Sequence, residues 1–352
     1  MSIDKKSNRM LFPQIGKFII ILVAIAFIIA GIRGYQLYQY IFRENVNTDY
    51  VLYVHPGATF GQITDSLKIN DVLISLKAFQ WVSKKKEFPQ SVKTGRYLLK
   101  KGMNTNQIVN MLKGGMQTPL NVTFNNVRTK EDLAGKVSKY LIADSISILN
   151  LFSDENQIQK FGFTTETYRT MFIPNTYQFY WTTSAEEFAQ RMKTEFDRFW
   201  NNERRKKAEQ INLTPAEVTV LASIVQSETA KNEELARISG LYINRLKRGQ
   251  FLQADPTVKY AVGDFTLKRI LNVHLEIDSP YNTYKNAGLP PGPINFPETS
   301  AIDAVLNHER HNYIYMCAKE DFSGYHSFAV TLTEHNRNAA KYRAALNRNN
   351  IR

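Results

Sequence analysis

The sequence predicts an α+β protein in three parts: a single N-terminal transmembrane helix, a small α+β module and a larger mixed α+β domain. Three observations lead there. An uncharged apolar run stands close to the N-terminus, and the chain behind it has ordinary globular composition. Strand-like alternation and helical periodicity then follow one another irregularly, without the strict β-α repetition of a parallel sheet. The most strongly marked helix, residues 214–229, ends on an acid where its apolar stripe should continue.

Residues 1–16 read as a basic cytoplasmic tail and residues 17–40 as the anchor with its aromatic margin. The apolar core, residues 18–32, is short of the roughly 20 residues that cross a bilayer, but Ile15 and Gly16 extend it if Lys17 snorkels. A cleaved signal peptide is the alternative, although no convincing small-x-small site follows before Arg33. Basic residues ahead of the span favour a cytoplasmic N-terminus, which puts the rest of the chain outside the inner membrane.

The roughly 310 residues behind the anchor suffice for two domains with cores of their own. A single cysteine, Cys317, excludes an internal disulfide and a multi-cysteine metal site. The net charge is +13, from 45 basic and 32 acidic residues, which raises the question of nucleic acid. The cations are dispersed and no nucleic-acid motif accompanies them, so a solvated basic surface near anionic lipid or wall polymer is the economical reading. His308 and His311 lack a third ligand at zinc spacing, and there is no nucleophile elbow, phosphate loop or dinucleotide fingerprint. No metal and no cofactor is implied.

The small module spans residues 48–116. Residues 51–59 alternate like a strand up to Pro56-Gly57, residues 72–82 carry helical periodicity, and residues 95–103 read as a second strand. A helix capped by Asn104 then ends at Gly114-Gly115. The larger domain, residues 117–346, opens on a strand at 119–125 and is mostly helical over 130–152 and 185–212. Between those lies the aromatic segment 171–181, broken at Pro174-Asn175, which suits either a turn lining a groove or core packing by Phe172, Tyr177 and Phe179. A second amphipathic helix is expected over 233–248 and another from Asp255-Pro256. Residues 279–294 form a long loop rich in Pro, Gly, Tyr and Asn, a type more often functional than idle. Paired strands at 313–318 and 326–331 precede a basic helix from Glu334.

The helix at 214–229 is specified locally. Thr214 caps it, Pro215 takes the first position, and Glu217 completes a capping box. Val218, Leu221, Ala222 and Val225 share one face, and Glu228 continues its edge. A carboxyl on an apolar rim loses hydration, which raises its pKa and suits it to general-acid work near neutrality. The plainer alternative is an exposed last turn.

Four phrases then go together. LASIVQSETA, INRLKRGQFLQADPTVKY, SPYNTYKNAGLPPGPI and GYHSFAVTLTEHN, in that order, resemble the YceG-like family of endolytic murein transglycosylases. The stretch GRYLLKKGM with its following helix resembles the end of that family's LysM-like module. The resemblance implies a membrane anchor, a LysM-like module and a YceG-like catalytic domain outside the cytoplasm that cuts peptidoglycan glycan strands. It also admits peptidoglycan synthases, the penicillin-binding proteins, as partners. Many relatives carry two glutamates in the helix motif. This chain has Gln226 at the first, so the implied catalytic role falls on Glu228 alone. Asn175 stands where many relatives have an acid.

A hydrolase normally uses two carboxylates. A lytic transglycosylase can use one, as acid toward the departing oxygen and then as base toward the sugar's own C6 hydroxyl, closing a 1,6-anhydro ring. Asn244, Asp255, Tyr281, Asn282 and Thr283 are the candidates to position the strand. If Asp255, Glu276 or Asp278 folds beside Glu228, ordinary hydrolysis becomes available. The competing class is a wall-binding scaffold without catalysis, which has no reason to desolvate a carboxylate.

Overall fold

The computed structural model describes residues 11–349 apart from Lys268. Most of the expected cytoplasmic tail, residues 1–10, lies outside the described residues. The chain divides into two compact units, one up to Pro119 with Tyr180–Thr182, the other comprising Leu120–Phe179 and the chain from Thr183.

The first unit begins with α1 (Leu11–Phe42). Its stretch Gly16–Phe42, whose most apolar 18 residues have mean hydropathy 2.4, is long and apolar enough to cross a membrane. At 1.5 Å per residue those 27 residues reach roughly 40 Å, against a hydrocarbon core of roughly 30 Å. Its large apolar side chains from Phe18 to Tyr40 stand exposed, while Ile41 packs against the core of the first unit. Behind it come β1 (Tyr50–Val54), α2 (Phe60–Ile69), α3 (Leu76–Lys85), β2 (Gly95–Leu99) and α4 (Thr105–Gly114). β1 and β2 pair antiparallel, from Tyr50 opposite Leu99 to Val54 opposite Gly95. Reciprocal capping boxes start α2 (Thr59 with Gln62) and α4 (Asn104 with Gln107). Leu67, Phe79, Phe88, Tyr97 and Leu99 fill the core between sheet and helices. The helix predicted from residue 72 starts later. Ser75 caps α3 by accepting from the Ala78 N–H, and Val72 and Leu73 are buried ahead of it, Leu73 in an antiparallel bridge to Val46.

The second unit opens with β3 (Leu120–Phe124) and continues through α5 (Lys130–Val137), α6 (Ser145–Asn150) and α7 (Glu155–Lys160) to β4 (Asn175–Phe179). The helical stretch predicted at 130–152 is thus two short helices, because Asp144 caps a new start within it. β4 pairs antiparallel with β3, Leu120 opposite Phe179. The aromatic segment is therefore strand and core. Phe172, Tyr177 and Phe179 are all buried, and the Tyr177 hydroxyl donates to the Ile173 carbonyl at 2.7 Å. Asn175 is exposed and its side chain accepts from the Thr176 N–H.

Next come α8 (Ala185–Phe199), α9 (Asn202–Gln210), α10 (Pro215–Glu228), α11 (Leu235–Lys247), α12 (Asp255–Val262), α13 (Asn272–Leu275) and α14 (Thr299–Leu306). β5 (Tyr315–Ala318) and β6 (His326–Ala329) pair antiparallel, and α15 (Leu332–Arg348) closes the chain. α10 is the axis of this unit. The capping box of Thr214 and Glu217 forms as the sequence requires. Burial, however, is not confined to one face: every residue from Val218 to Val225 is buried. No charge occurs in that stretch, and α9, α11, α12 and α14 all pack on it. α11 also starts later than expected, since Glu233 and Glu234 form a 3-10 turn ahead of Leu235.

Candidate active site

Glu228 is the last residue of α10 and Thr229 leaves the helix in an extended conformation. The acid thus sits where the buried stretch of α10 gives way to open space. It lines two cavities of the same unit, one of 540 Å³ and one of 260 Å³. The Tyr242 hydroxyl, from the neighbouring α11, donates a hydrogen bond to Glu228 Oε1. Burial pushes the Glu228 carboxyl up to about 7. The Tyr242 hydrogen bond and the Arg245 charge oppose that shift, while the Asp255 charge adds to it. Its position at the negative end of the α10 dipole disfavours the carboxylate further. Burial also raises the Tyr242 hydroxyl, which keeps it a donor.

The smaller cavity brings Glu228 together with Tyr242, Arg245, Asp255, Tyr284 and His326. Arg245 does not roam there. Its Nε donates to the Ile314 carbonyl at 2.6 Å and its Nη1 to the Leu252 carbonyl at 2.6 Å. Asp255, first residue of α12, accepts from the Tyr284 hydroxyl at 2.6 Å. A carboxyl poised near neutrality therefore faces a second carboxyl that a tyrosine holds in place.

The larger cavity is built by the loop after residue 279 folding onto the end of α10. The Ile294 N–H donates to Ser223 Oγ at 3.0 Å, and Asn295 Nδ2 donates to the Ser223 carbonyl at 2.9 Å and to Ser227 Oγ at 2.8 Å. Asn295 Oδ1, by contrast, is buried without a hydrogen-bond partner among the described residues. Gln226 Oε1 accepts from the Glu298 N–H at 2.6 Å, a tether in which an amide serves as well as an acid. Gly292 is required in this loop, because a Cβ there would lie 2.2 Å from the Glu166 carbonyl oxygen. Arg128 and Lys259 supply cations to the rim.

The sequence candidates separate on this geometry. Glu228 and Asp255 share a cavity. Asn244, two residues beyond Tyr242 and so on the opposite side of α11, turns away: its Nδ2 donates to the carbonyls of His311 (2.7 Å) and Tyr313 (3.0 Å), beside a different cavity. Asn282 and Thr283 are buried inside their loop at 0% and 1% exposure, so neither side chain faces a strand. Asn282 donates to the carbonyls of Leu275 and Ile277, and Thr283 Oγ1 accepts from the Ala254 N–H at 3.0 Å, setting the start of α12. Tyr281 lines a neighbouring 440 Å³ cavity and packs on Tyr260, ring centroids 4.7 Å apart. Tyr260 itself lines the larger Glu228 cavity. Glu276 pairs with Lys285 at 3.2 Å, and neither it nor Asp278 lines a Glu228 cavity. Sequence reasoning missed Tyr242 within the expected amphipathic helix, as well as Arg245, Asn295 and His326. A polar tip on the buried face of α11 was the available signal for Tyr242. Among the described residues no group of three or more His, Cys, Asp or Glu side chains could hold a metal ion.

A raised carboxyl held by a tyrosine over a two-part cleft defines a site for acid-base chemistry on a sizeable polar substrate. The YceG-like family profile matches residues 52–341, and the chain belongs to that family. The endolytic murein transglycosylase of Bacillus subtilis is 31% identical over 311 residues, covering 83% of this chain and 84% of the relative. The protein of that name from Streptococcus pneumoniae is 28% identical over 363 residues, which are 91% of this chain and 64% of the longer relative. A yceG-like protein from Listeria monocytogenes, known from a 2.6 Å crystal structure, superposes with a TM-score of 0.56 at 27% identity, covering 82% of this chain and 98% of that one.

Proposed function

We propose that this protein is a membrane-anchored endolytic murein transglycosylase, with Glu228 as its acid and base. The observation that carries the reading is the Glu228 carboxyl, raised to about 7 at the wall between two cavities. A group poised there holds a proton for the glycosidic oxygen and, once ionised, accepts one in return. Glu228 protonates the oxygen leaving N-acetylmuramic acid C1. As carboxylate it then takes the proton of the C6 hydroxyl, and a 1,6-anhydro end results. Because the attacking hydroxyl belongs to the sugar, no external nucleophile has to be ordered. Cleavage within a nascent strand ends its growth.

Hydrolysis is the second reading, and Asp255 favours it, because it shares the smaller cavity with Glu228. Against it stands the Tyr284 hydrogen bond, which occupies one Asp255 oxygen. A non-catalytic scaffold would leave the Glu228 arrangement without a purpose.

The other parts fit the same activity. α1 anchors the chain with its N-terminus in the cytoplasm, so that the second unit, read as the YceG-like catalytic domain, works on the outer side. The β1-α2-α3-β2 order of the first unit supports a LysM-like module. Its 300 Å³ cleft, edged by Tyr53, His55 and Gln62, suits a glycan. Such a chain belongs beside peptidoglycan synthases at the membrane. The test is digestion of purified peptidoglycan by the full-length protein and by Glu228→Gln. Soluble fragments with 1,6-anhydro ends from the first and none from the second are expected; equal digestion by both removes Glu228 from the mechanism.

A further inference from the structure

Glu234 lies six residues past Glu228, 4% exposed, and the strand β6 supplies two of its contacts. The His326 N–H donates to Glu234 Oε1 at 2.9 Å, and His326 Nδ1 lies 2.8 Å from Oε2. Thr229, the residue after Glu228, adds its hydroxyl to Oε2 at 3.5 Å. The same Thr229 Oγ1 accepts from the Lys231 N–H at 3.0 Å, so the turn leaving Glu228 is tied to this carboxylate. A carboxylate only accepts, so Nδ1 carries the ring proton. In the neutral imidazole Nε2 is then left with a lone pair. His326 is itself a wall of the 260 Å³ cavity that holds Glu228, Tyr242 and Asp255. That volume has room for a single sugar unit.

We propose that His326 contacts the glycan in this cavity, its Nε2 accepting a hydrogen bond from a sugar hydroxyl, and that Glu234 is the positioning residue that fixes the tautomer required. This rests on the transglycosylase reading of the site. The pair is otherwise hard to account for. Glu234 could satisfy a backbone N–H with one oxygen, yet its second oxygen is set against a ring nitrogen whose other nitrogen belongs to a cavity-lining side chain. The cavity's remaining polar groups are largely engaged: Tyr242 on Glu228, Tyr284 on Asp255, Arg245 on two carbonyls. Nε2 is thus an acceptor available to a ligand hydroxyl.

Glu234→Gln tests the tautomer. The glutamine keeps an acceptor for the His326 N–H but turns an amide donor toward Nδ1, which moves the ring proton to Nε2 and converts the acceptor into a donor. Full-length protein in detergent, labelled with nitrogen-15 at histidine, should show His326 as the Nδ1–H form in the parent and as Nε2–H in Glu234→Gln. The substrate contact is read separately, in the Glu228→Gln background so that nothing is cleaved, by binding of defined glycan fragments. We expect affinity to fall about ten-fold with Glu234→Gln and with His326→Phe, whereas His326→Gln, whose amide oxygen reaches the Nε2 position, recovers part of it. A parent already in the Nε2–H form, binding within two-fold in all variants, or equal losses for His326→Gln and His326→Phe would overturn the assignment. If Glu228→Gln itself still cleaves glycan, the mechanism fails on its own count, and the spectra and affinities still judge His326.

Discussion

Two carboxylates bracket the turn between α10 and α11, and their surroundings are opposite. Glu234 is nearly sealed from solvent, and it receives a backbone N–H, an imidazole and a hydroxyl. Glu228 keeps access to two cavities, yet among the described residues it receives one hydrogen bond, from the Tyr242 hydroxyl, and it faces the charge of Asp255. What matters is whether the surroundings compensate the charge, and around Glu228 they do so incompletely, which leaves its carboxyl at about 7.

The sharpest contrast is in catalysis. Glu228→Gln should lower cleavage by roughly 10²-fold to 10⁴-fold or more with the melting temperature preserved, whereas Glu234→Gln should cost about ten-fold through binding. Initial rates on one peptidoglycan preparation measure both; equal losses would erase the distinction. Stability reports on Glu228 in another way. A carboxyl raised from 4.5 to about 7 contributes its full stability below pH 4.5 and loses it as pH rises through 7. Allowing for its partial access to solvent, that loss is about 2 to 3 kcal/mol. Denaturant titrations of the parent at pH 4.5 and pH 8 should show it, and Glu228→Gln should lack that share.

The causes of the shift can be taken apart. Asp255→Asn removes the neighbouring charge and should move the alkaline limb of the activity profile to lower pH. Tyr242→Phe removes the hydrogen bond that favours the carboxylate and should move the limb upward. Shifts of the same sign in both variants would break the account of this carboxyl. The smallest effects on catalysis belong to the far face of α11. Gly240→Ala would set a Cβ 2.2 Å from the Glu309 carbonyl oxygen and should cost about 1 to 3 kcal/mol of stability. The alkaline limb should stay where it is, and a displaced limb would mean that this face communicates with Glu228.

Local signals made part of this legible in the sequence. The Thr214-Pro215-Glu217 start of α10 and the acid at its end are short-range features, fixed by hydrogen bonds within one turn. The pairing of β5 with β6 follows equally from local alternation. What escaped depends on contacts distant in the chain. Tyr242 reads as a core aromatic until α11 lies against the end of α10. His326 reads as a strand residue until β6 reaches Glu234, 92 positions earlier. Asn282 and Thr283 erred in the opposite direction: their polar groups suggested a ligand, but the loop uses them to satisfy its own backbone and that of α12. The aromatic segment at 171–181 likewise yielded to the core once β4 found β3.

The proximity of Asp255 to Glu228 makes the fate of water the central question, because a second carboxylate at a hydrolase's separation would activate it. Digestion of peptidoglycan in heavy-oxygen water answers it by mass. Glu228 acting alone with the C6 hydroxyl gives ends one water lighter than a reducing sugar and free of isotope from the first minutes of reaction; reducing ends carrying the heavy oxygen would contradict it and make Asp255 the base of a hydrolase.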